Sequence, residues 1–389
     1  MRGGTSKGIF LMEKDLPRDP VLRERIILAI FGSPDIRQID GLGGADSLTS
    51  KLALIAPVSE PDRDIDYTFG AVGIDRAFVD YSANCGNISS AVGPYAVDKG
   101  LVKAESPFTF VRIFNTNTRK MIISKVPVQK GRFAPEGDYV IDGCPGSGAK
   151  IELTFMDPGG AATGRLLPTG NITDRLTLET GENFAVTIVD AGNPTAFVRA
   201  EELHLRGDEL PAELDQDAPM RAKLEAIRKA VAGLMGIPVS QSIPKIAFIT
   251  VAQDYRTAAG KMIAKGSVDM LARLMAMGKM HKAFAITAGI PAAIAAVLPG
   301  SVVNRAVGED SPAPAKKEIV IGHPSGMMDV KVDVESGQDG PRVLSCTVGR
   351  TARRIMDGRV YVSGEIYDFK EARIDPSSYP RQFDVVREL

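Results

Sequence analysis

Two nearly all-apolar helices built from small residues constrain this chain more than any other feature. Residues 87–98 carry Ala91, Val92, Tyr95, Ala96 and Val97, with Gly100 as a stop signal. Residues 281–298 repeat the style in the run AFAITAGIPAAIAAVL. A helix that is apolar all round must be covered on several sides. Candidate strands supply the cover: 51–57, 65–72, 108–114, 120–126, 151–155 and 184–190 around the first helix, and 243–252, 318–323 and 328–334 around the second. There is no literal sequence repeat. The pattern nevertheless predicts a duplicated α+β architecture, each half a sheet around a buried helix, with a cleft between them.

Two outer helices complete the expectation. Asp19-Pro20 opens one with Val21, Leu22, Ile26, Ile27 and Ile30 on one face, and Gly32 ends it. Residues 220–235 interleave acid and base and read as a solvated amphipathic helix. At 389 residues the chain exceeds one ordinary core, so two domains are expected.

Charge excludes several classes of function. Lys and Arg total 47 against 48 Asp and Glu, with no basic block, which argues against nucleic acid or a membrane surface as the partner. No stretch reaches the roughly 18 uninterrupted apolar residues of a membrane span. Met1 runs straight into Arg-Gly-Gly-Thr rather than a signal-peptide core, and a cytoplasmic location is expected. Cys85, Cys144 and Cys346 are too scattered for a disulfide framework or a CxxC metal site. Oligomeric state is not legible, and a homo-oligomer is compatible with the chain.

The chemistry sits in Gly-rich segments. MRGGTSKG at 1–8 has a phosphate-loop composition without Walker spacing; its amides, with Thr5, Ser6 and Lys7, suit a carboxylate or simply a tight turn. Cys85 lies in SANCGN at 82–87, where Asn84, Gly86 and Asn87 mark a helix mouth. Unpaired amides there would lower a thiol pKa and hold an oxyanion; a buried structural cysteine is the alternative. Lys51 follows Ser50 at the start of a buried strand, either as a surface cation or as a desolvated base in a cleft. LLPTG with Thr169, GNPT with Asn193, GHPSG with Ser325 and the RTARR run at 350–354 offer hydroxyls and arginines to a polycarboxylate, although each could be a structural turn. His281 and His323 are lone histidines with core or turn roles expected rather than metal binding.

Taken together, MRGGTSKG, FGSPDIRQIDGLGGADSLTSK at 31–51, NCGN at 84–87, LLPTG at 166–170, GHPSG at 322–326 and RTARRIM at 350–356 resemble the 2-methylaconitate cis-trans isomerase / 3-methylitaconate Δ-isomerase / 4-oxalomesaconate tautomerase family, a PrpF-like family. The resemblance spans about residues 1–362. It implies a diaminopimelate-epimerase-like fold of two similar domains, 1–182 and 183–362, with the site between them. Residues 363–389 extend past the usual end and are expected to pack back on the first domain. Relatives usually carry several residues before MRGG that form a first strand, so here that strand is expected to be shortened or the start misassigned.

By the same resemblance Lys51 matches the family's catalytic lysine and Cys85 its site cysteine, while Thr5, Ser6, Ser50, Asn84, Gly86, Asn87, Thr169, Asn193 and Ser325 are the expected substrate contacts. The Asn193-Pro194 pair is similar to the GNPH segment of the epimerases, with Thr195 in place of His. The epimerases' second cysteine has no counterpart in residues 284–289, so a lysine-centred proton shift is expected in place of two-thiol racemisation. The implied activity is cofactor-independent isomerisation of a small unsaturated di- or tricarboxylate by an allylic 1,3-proton shift. GIFL, DIDYTFG and IFNTNT are similar to the methylitaconate enzymes, MAMGKMHKA and GHPSG to the methylaconitate enzymes. Keto-enol tautomerisation of an oxalomesaconate-type acid is the alternative. A non-catalytic carboxylate-binding protein on the same fold is the reading from a different class.

Overall fold

Each half of the molecule contains a lysine-headed buried strand, and the pairing around that strand is the same in both. The computed structural model describes residues 1–276, 278–308, 318–337 and 340–366. In the first half the longer elements are β1 (Ile9–Met12), α1 (Pro20–Phe31), β2 (Lys51–Pro57), β3 (Ile65–Val72), α2 (Gly86–Ser89), α3 (Val92–Asp98), β4 (Phe108–Asn115), β5 (Lys120–Gln129) and β6 (Ile151–Met156). In the second they are β7 (Asn183–Ala191), β8 (Asn193–Arg199), α4 (Ala218–Met235), β9 (Lys245–Val251), β10 (Met270–Ala276), α5 (Ile286–Val297), β11 (Glu318–His323), β12 (Gly326–Gly337) and β13 (Gly340–Arg350).

β1 runs parallel to β2, β2 antiparallel to β3, β3 parallel to β4, β4 antiparallel to β5 and β5 antiparallel to β6. The second half repeats that order through β8, β9, β10, β11, β12 and β13. β6 and β13 then pair antiparallel, Ile151 opposite Arg350, and join the halves into one continuous sheet. The duplication expected from the buried helices is therefore a property of the strand ladder.

The sheet wraps both helices. Ile88, Val92 and Ala96 of the first and Ile290, Ile294 and Val297 of the second belong to one core cluster with Val111, Leu153, Val330 and Val348 from the strands. The first central helix is not the single 87–98 unit expected. It breaks at Ser90–Ala91, because Pro94 has no N–H for the Ser90 carbonyl and its ring crowds that oxygen. The second starts at Ile286, so residues 281–285 form a loop that leads into it.

The outer helices follow their end signals. Asp19 caps α1 by accepting from the Leu22 amide, and Gly32 closes it in the left-handed conformation. Ile26, Ile27 and Ile30 are buried as expected, whereas Val21 is exposed. Val360, Val362 and Ile366 pack against the cluster formed by α1; residues 367–389 of the expected extension lie outside the described residues. Among the described residues no helix is long and apolar enough to cross a membrane.

Candidate active site

Both central helices point their first turns into one cleft, and each is faced by the lysine at the head of its own half's buried strand. In the first half Lys51 Nζ donates to Ser6 Oγ at 3.0 Å and to Cys85 Sγ at 3.2 Å. In the second half Lys245 Nζ donates to Thr287 Oγ1 at 2.7 Å. Thr287 is the second residue of α5 and is buried, as is Lys245. The strands KLALIAP and KIAFITV share one burial pattern, since each places its lysine at the cleft end of a covered strand.

Asn193 holds the two helix entrances together. Its Oδ1 accepts from the Asn84 amide at 3.0 Å, and its Nδ2 donates to the Asn84 carbonyl and to Thr287 Oγ1, both at 3.0 Å. Gly86 permits the approach: a Cβ there would lie 2.7 Å from Ile286 Cβ. Further out, Ser82 and Ser240 hydroxyls meet at 2.8 Å and Lys282 Nζ reaches Asp46 Oδ2 at 2.7 Å, which closes the cleft rim across the halves.

The MRGG turn sits behind Cys85. Gly4 has φ +51, and a Cβ there would fall 2.0 Å from Asn87 Oδ1, so glycine is required at that position. Asn87 in turn donates to Thr5 Oγ1 at 3.1 Å and accepts from the Thr5 amide at 3.3 Å. Thr5 thus braces Asn87 and lines a neighbouring cavity with His323 and Arg350. Buried Ser6 is spent on Lys51.

Lys51, Asn84, Cys85, Gly86, Asn87 and Asn193 do line the cleft. Thr5 and Ser6, placed as above, and three other expected contacts do not. Ser50 Oγ donates to the Val72 carbonyl at 2.9 Å and accepts from Gln38 Nε2 at 2.8 Å, which stitches the loop before β2. Thr169 Oγ1 donates to Asp174 Oδ2 at 2.7 Å within its own turn. Ser325 Oγ donates to the Lys282 carbonyl at 2.6 Å and ties the GHPSG turn to the loop before α5. Hydroxyl-rich turns read alike in sequence whether the oxygen faces a ligand or closes the turn.

Lys245, Thr287 and Ser242, which the sequence did not single out, also line the cleft, as does His281, for which a core or turn role is expected. His281 accepts from the Ala283 amide through Nδ1 at 3.1 Å, so its proton sits on Nε2. Burial and then the Lys51 charge push it down to about 3, and it is a neutral imidazole at the cleft wall.

Electrostatics follow from who faces whom. Burial alone would push the Cys85 thiol up, but Lys51, the Ile88 amide and Lys245 outweigh it and hold the thiol below its usual range. Burial, reinforced by Lys51 and opposed by Cys85, brings Lys245 down to about 7. Among the described residues no Asp or Glu side chain lines this cleft, while Leu48, Phe69, Ala71, Ala276 and Ile286 supply an apolar wall. The arrangement suits a short carbon skeleton bearing carboxylates, with proton carriers on both sides.

A family model described as PrpF protein matches residues 1–363. The chain belongs to the PrpF family. It is 45% identical over 371 residues to 3-methylitaconate isomerase of Eubacterium barkeri, an alignment covering 93% of this chain and 96% of that one. It is 38% identical over 387 residues to 2-methyl-aconitate isomerase of Cupriavidus necator, covering 94% and 97% of the two chains. It is also 38% identical over 369 residues to 4-oxalomesaconate tautomerase of Pseudomonas putida, covering 94% and 96%. A crystal structure of methylitaconate-delta-isomerase superposes with a TM-score of 0.78 at 44% identity, covering 96% of this chain and 97% of that one. A probable proline racemase from Agrobacterium radiobacter shares the fold, with a TM-score of 0.52 at 13% identity over 92% of each chain. The PrpF chain thus has the epimerase-like α+β fold that the family resemblance implied.

Proposed function

We propose that this protein isomerises a small unsaturated di- or tricarboxylate by moving its double bond through an allylic 1,3-proton shift. One observation carries the reading: a lysine–thiol pair and a second lysine converge on a partly apolar cleft with no carboxylate among the described residues of its lining. The cations attract and orient the substrate's carboxylates. A carboxylate or carbonyl beside the allylic C–H acidifies it, and its removal leaves a delocalised dienolate. Reprotonation at the far carbon completes the shift.

Oxidation state and proton count are unchanged, so the balance calls for no redox partner. Lys51 and Cys85 are hydrogen-bonded across 3.2 Å and together form the base of this mechanism. Free amides in the first turn of α2, at Gly86 and Asn87, and the Asn84 side chain are placed to hold the developing oxygen charge. Since α2 is a single turn, these act as individual donors rather than through a long helix dipole.

The methylitaconate-type substrate is favoured by the 45% identity to the Eubacterium barkeri enzyme; an oxalomesaconate-type tautomerisation would use the same first step. The test is incubation with methylitaconate, methylaconitate and oxalomesaconate in D2O, followed by NMR. Conversion of one of the first two with deuterium uptake is the expected result. Conversion of the third alone moves the assignment to the tautomerase, and binding without exchange or conversion reduces the protein to a carboxylate binder.

A milder variant separates the members of the pair. Cys85→Ser keeps a small polar group beside Lys51 but removes the acidic thiol, and kcat is expected to fall about 10–100-fold, less than on loss of Lys51. Steady-state kinetics on the identified substrate check the order; a larger loss for Cys85→Ser would make the sulfur the principal base.

A further inference from the structure

Lys245 is buried at the head of β9, where α5 begins, and the mechanism above gives it no proton to carry. It repeats the placement of Lys51 in the first half: each lysine opens the strand that is flanked by one parallel and one antiparallel neighbour, and each reaches the first turn of its own central helix. What differs is the partner. Lys51 meets a thiol, whereas Lys245 meets the hydroxyl of Thr287. That hydroxyl accepts from Lys245 Nζ and from Asn193 Nδ2, which occupies both lone pairs. Its own proton is left to donate into the cleft that Thr287 lines.

We propose that Lys245 is a second proton carrier of the reaction, delivering a proton to the far carbon while the Lys51–Cys85 pair removes one from the allylic carbon, with the Thr287 hydroxyl donating to the oxygen charge between them. The proposal rests on the isomerase reading above. In the forward direction the Lys51 amine of the pair, its own proton passed to the Cys85 sulfur, breaks the allylic C–H bond and takes its proton. The electron pair of that bond enters the dienolate. The dienolate's far carbon then forms a C–H bond with a proton of the Lys245 ammonium, which becomes the amine. Turnover leaves the pair one proton richer and Lys245 one poorer, and exchange with solvent restores both. Burial and the neighbouring Lys51 bring Lys245 down to about 7, so it releases a proton readily at neutral pH. A lysine at its ordinary value would not.

The experiment follows hydrogen rather than rate alone. Wild-type protein is given substrate deuterated at the allylic carbon in H2O, and the product is read by NMR and mass spectrometry. With two carriers the label is lost to solvent and the new C–H bond carries solvent hydrogen; label carried from the allylic carbon to the far carbon in more than a few per cent of product overturns the proposal in favour of one base. Lys245→Met is then expected to lose conversion by about 10^3-fold while still exchanging the allylic hydrogen at the carbon facing Lys51 and Cys85. It should melt no lower than wild type, being relieved of a buried cation. Conversion within tenfold of wild type, or a folded variant that has also lost exchange, overturns the proposal; should the variant fail to fold, the wild-type label result decides. Lys245→Arg keeps a cation for a carboxylate but does not release its proton at neutral pH, so recovery of conversion there makes Lys245 an anchor and overturns the proposal too. If wild-type protein converts none of the three acids, it is the isomerase reading that has failed.

Discussion

Lys51→Ala is expected to lower kcat on the identified substrate by about 10^3–10^4-fold with KM changed much less, because the lysine is needed where the C–H bond breaks. The geometry gives the variant a second signature. Lys51 is the chief group holding the Cys85 thiol below its usual range against burial. Without it the thiol pKa rises, so the thiolate fraction at neutral pH falls and alkylation of Cys85 shifts to more alkaline pH. The truncated side chain also leaves room beside Ser6 and Cys85. Small primary amines such as ethylamine should therefore restore part of the activity, in proportion to their concentration as free base. Turnover within tenfold of wild type, or a loss that no amine rescues in a protein with unchanged melting, would remove Lys51 from the chemistry.

Much of the fold was legible because its signals are local. Asp19 and Gly32 frame α1 through cap chemistry alone, and the small-residue helices declare themselves by lacking a polar face. β10 was not legible: MLARLMA is made of good helix formers, and only its place between β9 and β11 makes it a strand. Arg273 within it is almost fully buried and donates to the Glu209 carbonyl at 2.7 Å, a tertiary contact that no periodicity announces. The site divides the same way. The Lys51, Cys85 and Asn193 regions lie in glycine-rich segments that stand out by composition. Lys245 lies in KIAFITV, which looks like any covered strand, and only its likeness to KLALIAP hints at a second lysine in the cleft. Ser50 and Ser325 lie outside the cleft lining because the direction of a hydroxyl depends on partners far along the chain, Val72 for Ser50 and Lys282 for Ser325, while Thr169 turns to Asp174 nearby.

Asn193→Ala is expected to destabilise the protein by roughly 3–5 kcal/mol, because it orphans more than its own side chain. Asn193 is 1% exposed, and it satisfies both backbone groups of Asn84, which is itself 4% exposed. Truncation strips the Asn84 N–H and C=O of their partners in a place that water reaches poorly, at about 1–3 kcal/mol each. It also removes one of the two donors to Thr287 Oγ1, so that hydroxyl can turn to accept elsewhere instead of donating into the cleft. Activity is therefore expected to fall about 100-fold even where the variant is fully folded, through misplacement of the entrances to both central helices. Asn193→Asp separates the two effects. It keeps the acceptor for the Asn84 amide but sets a carboxylate against the Asn84 carbonyl and, in a cleft with no acid among its described lining residues, against an anionic substrate. Its KM should rise more than that of Asn193→Ala, while its melting temperature falls by a comparable amount. Melting within a degree of wild type and kcat/KM within twofold for Asn193→Ala would show that the two halves are held in register by the sheet alone, with no contribution from this side chain.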